Sequence, residues 1–513
     1  MPPHPSQLSP STPQSDFSVV VAIDFGTTFS GYAYSFTKDP EAVHVMRKCE
    51  GGDPGVINMK TLTTLLLTPE GEFHSFGFTA RDFYHDMKFT EAQKWLYFDK
   101  YKLALQDDKN LNIDTEIEAS NGTKVKALTV FQHTFRFLKD RFLEELADLS
   151  MDDGAIDEGD IRWVLTVPAI WRQPAKQFMR QAAYKAGIAS PSRPTQLMIA
   201  LEPEAASIFI GKLSMKQLMP ERMALRRERW LRGSSRYVVV DCGGGTVDIT
   251  VHEVEEESGT LKELHKASGG MFGSGNVDEA FISLMVDIFG DDFIQEFKLM
   301  RPAGWVDLLI AFEARKRNAN PWKANYLNVS LPFSFIDYYK KFTNGNLTVE
   351  QTLLEYNSED VKWSGQAPGM LRFSPKGMLK LFSPTTDQLL EKVDEVLAKP
   401  ELKGISHLFL AGGFAESPLL QNKIRDKYKD FLKVVIPQEV GLATMKGAVM
   451  FGQNPWAVSA RRTRLMYGVG ALNKFNSNIH PEEKRSSRTA WNGVVTFLTS
   501  SCTRISPSHP ERR

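Results

Sequence analysis

The sequence predicts an α/β protein built from a duplicated strand-turn-strand unit with a cleft between its halves, and three observations carry that reading. Two apolar, β-branched runs, Ser18-Val19-Val20-Val21-Ala22-Ile23 and Tyr237-Val238-Val239-Val240, have the character of buried strands. Each run closes on an acid followed by glycines and threonines, in Asp24-Phe25-Gly26-Thr27-Thr28 and in Asp241-Cys242-Gly243-Gly244-Gly245-Thr246. The two copies lie 217 residues apart in a chain of 513, the spacing of an internal duplication.

In chain order, residues 1–16 are Pro- and Ser-rich and read as a disordered tail. Residues 17–211 alternate strand-like and helix-like segments and form a first lobe, with amphipathic helices expected at Val130–Leu149 and Pro174–Ala186. Residues 212–236 carry Arg222, Arg226, Arg227, Arg229, Arg232 and Arg236 and read as a basic, solvated insertion between lobes. A second lobe follows over 237–433, and 434–455 returns to close the first. The remainder, 456–513, offers one strand-like piece, Leu465–Gly470, and then a Ser-, Arg- and Pro-rich irregular tail too polar for a core of its own.

Composition narrows the function class. Sixty-two basic residues balance 62 acidic ones, so no global field favours nucleic acid or an anionic membrane. No apolar run reaches the roughly 18 residues of a membrane span, and the N-terminus lacks a charged-then-apolar signal; an intracellular, cytoplasmic protein is expected, with the nucleus also open to it. The three cysteines, Cys49, Cys242 and Cys502, form neither a disulfide framework nor a zinc spacing, and Cys242 reads as a small buried residue.

The chemistry lies in the turns. Glycines let the backbone reverse tightly and bring N–H groups to an anion, and threonines add hydroxyl donors. After each turn the chain resumes an extended pattern, unlike a P-loop or a dinucleotide fingerprint, both of which feed a helix. A carboxylate at each strand end, Asp24 and Asp241, is placed to hold Mg²⁺ through its water shell, since that ion keeps several waters and takes few protein ligands. Two such hairpins face to face would grip a triphosphate from both sides.

Beyond the turns, Leu408-Phe409-Leu410-Ala411-Gly412-Gly413-Phe414 resembles the adenosine motif of the actin, sugar-kinase and 70 kDa heat-shock superfamily, whose two phosphate motifs the turns resemble in their turn. Val164–Trp171 with Ala200–Ser207 resembles the linking region of the heat-shock ATPase, and Ala311–Arg317 its adenosine-gripping helix. Gly51–Val56, Trp171–Phe178 and Pro332–Asp337 are similar to the divergent heat shock protein 12 branch. The likeness covers roughly Phe17 to Phe475. It implies the duplicated actin-like ATPase fold, with two lobes around a nucleotide cleft, and ATP/ADP with Mg²⁺ as ligands.

By that resemblance Gly26, Thr27, Thr28, Gly243, Gly244, Gly245 and Thr246 wrap the phosphates, while Asp24 and Asp241 hold hydrated magnesium. Lys102 supplies the cation near the terminal phosphate, with Lys100 close enough in register to compete. Glu202 orients the attacking water or the metal shell. Glu313, Lys316 and Arg317 converge from one side of a helix, and Gly412 and Gly413 admit the adenine. Departures appear at Phe29, where a hydroxyl is missing, and at Phe414 and Glu416, the latter standing where a stacking arginine is expected. Gln438 occupies a position where an aspartate is usual. Residues 485–513 match nothing in the family, as a splice or frame change would produce. The resemblance therefore implies an ATP-binding, chaperone-like protein with weak Mg²⁺-dependent hydrolysis, reduced or absent binding of peptide clients, and protein partners or co-chaperones. The alternative is a non-catalytic nucleotide-sensing scaffold on the same fold; a small-molecule kinase finds no sugar-site signature.

Overall fold

The computed structural model describes residues 17–47, 58–106, 111–149, 156–212, 236–255, 258–323, 326–364, 369–462, 468–474, 476–478, 482–486 and 493–499. Two six-stranded sheets organise it. The first runs Leu197–Leu201, Ile161–Val167, Val19–Phe25, Phe29–Phe36, His44–Val45, with Thr61–Leu62 also paired to Phe29–Phe36. Val19–Phe25 is antiparallel to the strand after its turn and parallel to Ile161–Val167. The second sheet runs Lys433–Val435, Ile405–Ala411, Arg236–Cys242, Val247–Val254, Leu261–Gly270, Val458–Ala460. Here too the strand before the turn is antiparallel to the one after it and parallel to a later strand, Ile405–Ala411. The duplication read from the turns is thus a repeat of strand order.

The central strands are apolar without alternation because both faces are covered. Side chains still alternate with period two. Val19, Val21 and Ile23 enter a core with Phe131, Phe135 and Trp163, and Val238, Val240 and Cys242 enter another with Phe281, Phe312 and Leu389. The opposite faces, Val20 and Ala22 from one sheet and Tyr237 and Val239 from the other, belong to a single inner cluster. That shared layer joins the two sheets.

The inner layer includes several small residues, among them Ala22, Ala33, Ala200, Ala205 and Ala448. Two helices, Glu202–Lys212 and Ala443–Gln453, cross within it. A Cβ on Gly447 would stand 1.7 Å from the Ala205 carbonyl oxygen, and one on Gly452 would stand 2.5 Å from Val20 Cγ1. Close crossing of these helices is therefore a property of the sequence, and it brings their first turns, with Glu202 and Thr444, to the strand ends where the glycine turns lie.

The expected helices are present as Ala127–Leu149 and Gln173–Lys185. The first buries Val130, Phe131, Phe135, Leu138, Phe142 and Leu146 at helical spacing. The second sheet extends past residue 455, since Val458–Ala460 pairs parallel with Leu261–Gly270. Beyond it, where an irregular tail is expected, Gly468–Lys474, Arg485–Ser486 and Gly493–Thr499 form a three-stranded antiparallel sheet. The run Val494-Val495-Thr496-Phe497-Leu498 has the β-branched and aromatic content of a strand, which the Ser- and Arg-rich average of the region conceals. The N-terminal tail, Gly51–Val56, the basic segment 213–235, Leu465–Tyr467, Cys49 and Cys502 lie outside the described residues.

The helix crossing gives a direct test. Gly447→Ala forces overpacking against a backbone carbonyl and is expected to destabilise the protein by about 1–3 kcal/mol. Gly211→Ala, in the same helix pair but with open space around it, should stabilise by about 0.5–1 kcal/mol. Thermal unfolding midpoints compare the two, and equal midpoints would contradict the packing described.

Candidate functional site

In each turn carbonyls are tied down, while most of the amides are not. In the first, a Cβ on Gly26 would lie 2.3 Å from the Phe29 carbonyl oxygen, so glycine is required for the reversal. In the second, Gly243 N–H donates to Thr246 O at 2.8 Å, while Ser274 N–H donates to Gly243 O at 3.1 Å and Gly275 N–H to Gly244 O at 2.8 Å. Among the described residues the amides of Gly26, Thr27, Thr28, Gly244 and Gly245 have no partner within the chain. A group of such amides in a turn forms an anion-binding concavity. The two turns also touch: a Cβ on Gly244 would meet Thr28 Oγ1 at 2.3 Å.

Around the turns lies a cavity of about 490 Å³, within the range of small-molecule sites. Its walls include Asp24, Gly26, Thr27, Thr28, Phe29, Lys102, Glu202, Asp241, Gly243, Gly244 and Thr246. They also include Glu313, Lys316, Arg317, Gly412, Gly413, Phe414 and Glu416. Gly245, expected with them, is not in the wall. A Cβ there would run into Leu103 Cδ2 at 2.6 Å and Thr27 Oγ1 at 2.7 Å, so this glycine serves the contact between the turns. Gln438 is likewise outside the wall and exposed; the segment that reaches the cavity is the one just after it, with Glu439, Gly441, Leu442 and Thr444. A separate cavity of about 380 Å³ behind Trp171 includes none of the turn residues.

The carboxylates are unequally compensated. Asp24 accepts from Lys60 Nζ at 2.6 Å and from Thr166 Oγ1 at 2.8 Å. Burial alone would raise its pKa, but the charge and hydrogen bond of Lys60, with help from Lys102 and Thr166, hold the carboxyl below the usual range. Glu202 accepts from Lys102 Nζ at 2.7 Å. Burial nevertheless pushes Glu202 up to about 7, against the pull of Lys102 and with repulsion from Asp248 and Asp24 added. Asp241 is held well above the carboxylate range by burial first and then by Glu202, Asp248 and Asp24. Its one side-chain partner among the described residues is the Thr444 hydroxyl at 3.3 Å. Of the two lysines close in register, Lys102 is buried and in the wall, while Lys100 stands outside it, 4.0 Å from Glu279.

On the other wall, the helix Pro302–Arg317 presents Glu313, whose carboxylate pairs with Lys316 and with Arg317 Nε at 2.9 Å. Lys316, nearly buried, also donates to Asp278 at 2.6 Å. The Arg317 guanidinium lies 4.7 Å over the Phe29 ring, so the residue lacking a hydroxyl serves as a stacking face. Phe414 stacks on Phe382, with ring centroids 6.4 Å apart, and both line the cavity. Glu416 packs against Gly441, where a Cβ would meet its Oε1 at 2.2 Å. Cys242 is fully buried, and burial pushes its thiol up, which leaves it unreactive.

Sequence reasoning misses Lys60, Thr166, Asp278, Phe382 and Thr444. Lys60 and Thr444 sit in ordinary polar contexts, and no local spacing marks them. Thr166 could have been found, because it lies on a strand parallel to Val19–Phe25 and within the Val164–Trp171 motif.

No family model matches the sequence. Whole-chain comparison finds Heat shock 70 kDa protein 12A of Mus musculus at 50% identity over 517 aligned positions, covering 93% of this chain and 76% of that protein. Heat shock 70 kDa protein 12A of Homo sapiens is 51% identical over 509 positions, covering 92% and 74%. Heat shock 70 kDa protein 12B of Homo sapiens is 51% identical over 523, covering 94% and 75%.

The raised carboxyls fix the sign of a pH effect. Between the ordinary value near 4.5 and about 7, the folded chain keeps a proton on Glu202 that the unfolded chain has released. Stability of the ligand-free protein therefore falls as pH rises through that window, and Asp241, shifted in the same direction, adds to the slope. Glu202→Gln is expected to flatten the fall in unfolding midpoint between pH 5 and 7.5. A slope unchanged by the substitution would contradict this electrostatic picture.

Proposed function

The chain belongs to the heat shock 70 kDa protein family, in its 12A/12B branch, and from that premise we propose that it binds ATP and ADP between its two glycine turns and hydrolyses ATP weakly. The observation that carries this reading is the pair of touching turns in which Gly26, Thr27, Thr28 and Gly244, whose amides have no partner within the chain among the described residues, border one cavity of about 490 Å³. The phosphates take those amides and the threonine hydroxyls, and the nucleoside takes the side lined by Phe414, Phe382 and the Glu313-Lys316-Arg317 cluster.

The site also fits magnesium. Asp241 is a buried carboxylate without a cation partner among the described residues, and one or two carboxylates with water are what this ion needs. Asp24 is already paired with Lys60, whereas Asp241 has no cation beside it among the described residues and would give up its proton to bind one. Magnesium, when bound, neutralises phosphate oxygens.

The chain's own residues account for slow turnover. Hydrolysis adds water to the terminal phosphorus, breaks its bond to the bridging oxygen and yields ADP, phosphate and a proton. Lys102 faces the terminal phosphate as its cation. Glu202, with a pKa of about 7, is poised to orient the water and take its proton. In the ligand-free chain the two are locked together at 2.7 Å, and the phosphate must draw Lys102 away before Glu202 is free. The same pair favours a second reading, a nucleotide-sensing scaffold in which that release does not occur. The ATPase reading includes reduced or absent binding of peptide clients.

Single-turnover hydrolysis measured beside a nucleotide-induced thermal shift separates the readings: slow cleavage with a shift supports the ATPase, and a shift without cleavage supports the scaffold. Asp241→Asn replaces a buried carboxyl that no cation compensates, and whose ionisation burial and its acidic neighbours oppose, so it should leave ligand-free stability equal or higher. It should lower hydrolysis by ~10-fold or more, the scale of a lost electrostatic contact in phosphoryl transfer. Unchanged ATP affinity and hydrolysis in that variant would rule the site assignment out.

A further inference from the structure

We propose that Lys60 is a resident cation of the phosphate site: its ammonium occupies Asp24, contacts the nucleotide's phosphates, and makes nucleotide affinity largely independent of magnesium. The inference rests on the nucleotide reading of the cleft and goes beyond it, because it concerns which charge the chain supplies for itself.

The backbone delivers Lys60 to this point. The short strand Thr61–Leu62 pairs with Phe29 and Ser30, directly after the first turn. Gly31, the register partner of Asp24, leaves room for the lysine stem: a Cβ there would meet Lys60 Cγ at 3.1 Å and Lys60 Cα at 3.4 Å. The ammonium then donates to Asp24 Oδ2 at 2.6 Å and to the Gly441 carbonyl at 2.9 Å. It ties the first turn to the segment leading into the helix Ala443–Gln453. The side chain is 17% exposed and borders the cavity.

Two consequences follow from counting donors and acceptors. An ammonium has three donors, so with two engaged the third is left for a phosphate oxygen. Asp24 has both oxygens engaged within the chain, Oδ2 by Lys60 and Oδ1 by Thr166. Each oxygen keeps a further lone pair, but the Lys60 ammonium already neutralises Asp24, so it draws a hydrated metal less than Asp241, which has no cation beside it among the described residues. A lysine thus does on one side of the phosphates what a metal-side carboxylate would otherwise recruit an ion to do, and the ion is drawn from the Asp241 side alone.

The test is calorimetric titration of the intact protein with ATP and with ADP, in excess magnesium and in excess EDTA. The wild-type affinities should differ by no more than ~3-fold between the two conditions. In Lys60→Met the affinity in EDTA should fall by ~10-fold or more, the scale of one lost charge-assisted hydrogen bond, with magnesium recovering much of it. Because Lys60→Met leaves Asp24 buried without its cation, the double variant Lys60→Met/Asp24→Asn is measured alongside; it removes both charges and should show the same new magnesium dependence. A wild-type protein that loses nucleotide ~30-fold or more in EDTA, or a double variant that keeps the wild-type ratio, overturns the role of Lys60 while leaving nucleotide binding intact. No binding of either nucleotide under any condition overturns the nucleotide reading and this inference with it.

Discussion

The repulsion among buried carboxylates where the two sheets meet is the constraint around which the rest of the structure is arranged. Asp24 and Asp241 end the central strands and Glu202 starts a helix beside them. Asp248, opposite Asp241 in the strand register, raises the proton affinity of both Asp241 and Glu202. Removing such charges from water costs several kcal/mol each unless they are paired. Lys60 and Lys102 offset two of them. Asp241 is left with a hydroxyl 3.3 Å away, an arrangement that lowers the stability of the empty protein and raises its affinity for a cation.

The charges gather there because of packing. Small residues at the crossing, Gly447 against Ala205, let the helices Glu202–Lys212 and Ala443–Gln453 meet at near backbone contact. Larger side chains would separate the sheets and pull the turns apart. The repeated strand order then places one acid-glycine turn at the same point of each sheet, so that Gly244 and Thr28 meet. Residues far apart in sequence, such as Thr444 and Asp241, become neighbours through this layer.

Much of this was legible from local pattern. The two turns announce themselves by β-branched runs ending in an acid and glycines, and the structure brings Lys102, Glu202 and the Glu313-Lys316-Arg317 cluster to the cavity they border. What was not legible is whatever depends on register between distant segments. Gln438 misleads because Pro437 is taken as the guide, whereas the structure brings Gly441 and Thr444 to the site. Gly245 looks like another phosphate glycine, yet it is needed where Thr27 and Leu103 approach. Lys60 is a solitary lysine in Asn58-Met59-Lys60-Thr61, and only the pairing of Thr61–Leu62 with Phe29 and Ser30 turns it toward Asp24. The strand Gly493–Thr499 was hidden by the composition of its surroundings.

The central claim is that both turns grip one nucleotide at once, and hydrogen–deuterium exchange of the intact protein with and without ATP measures it most directly. The amides of Gly26 to Thr28 and of Gly244, all in the cavity wall, have no partner in the chain among the described residues, so in the free protein they should exchange quickly. ATP should slow exchange in both turns together, over the same range of concentration. Protection of one turn without the other, or of neither at concentrations that saturate binding, would contradict the account.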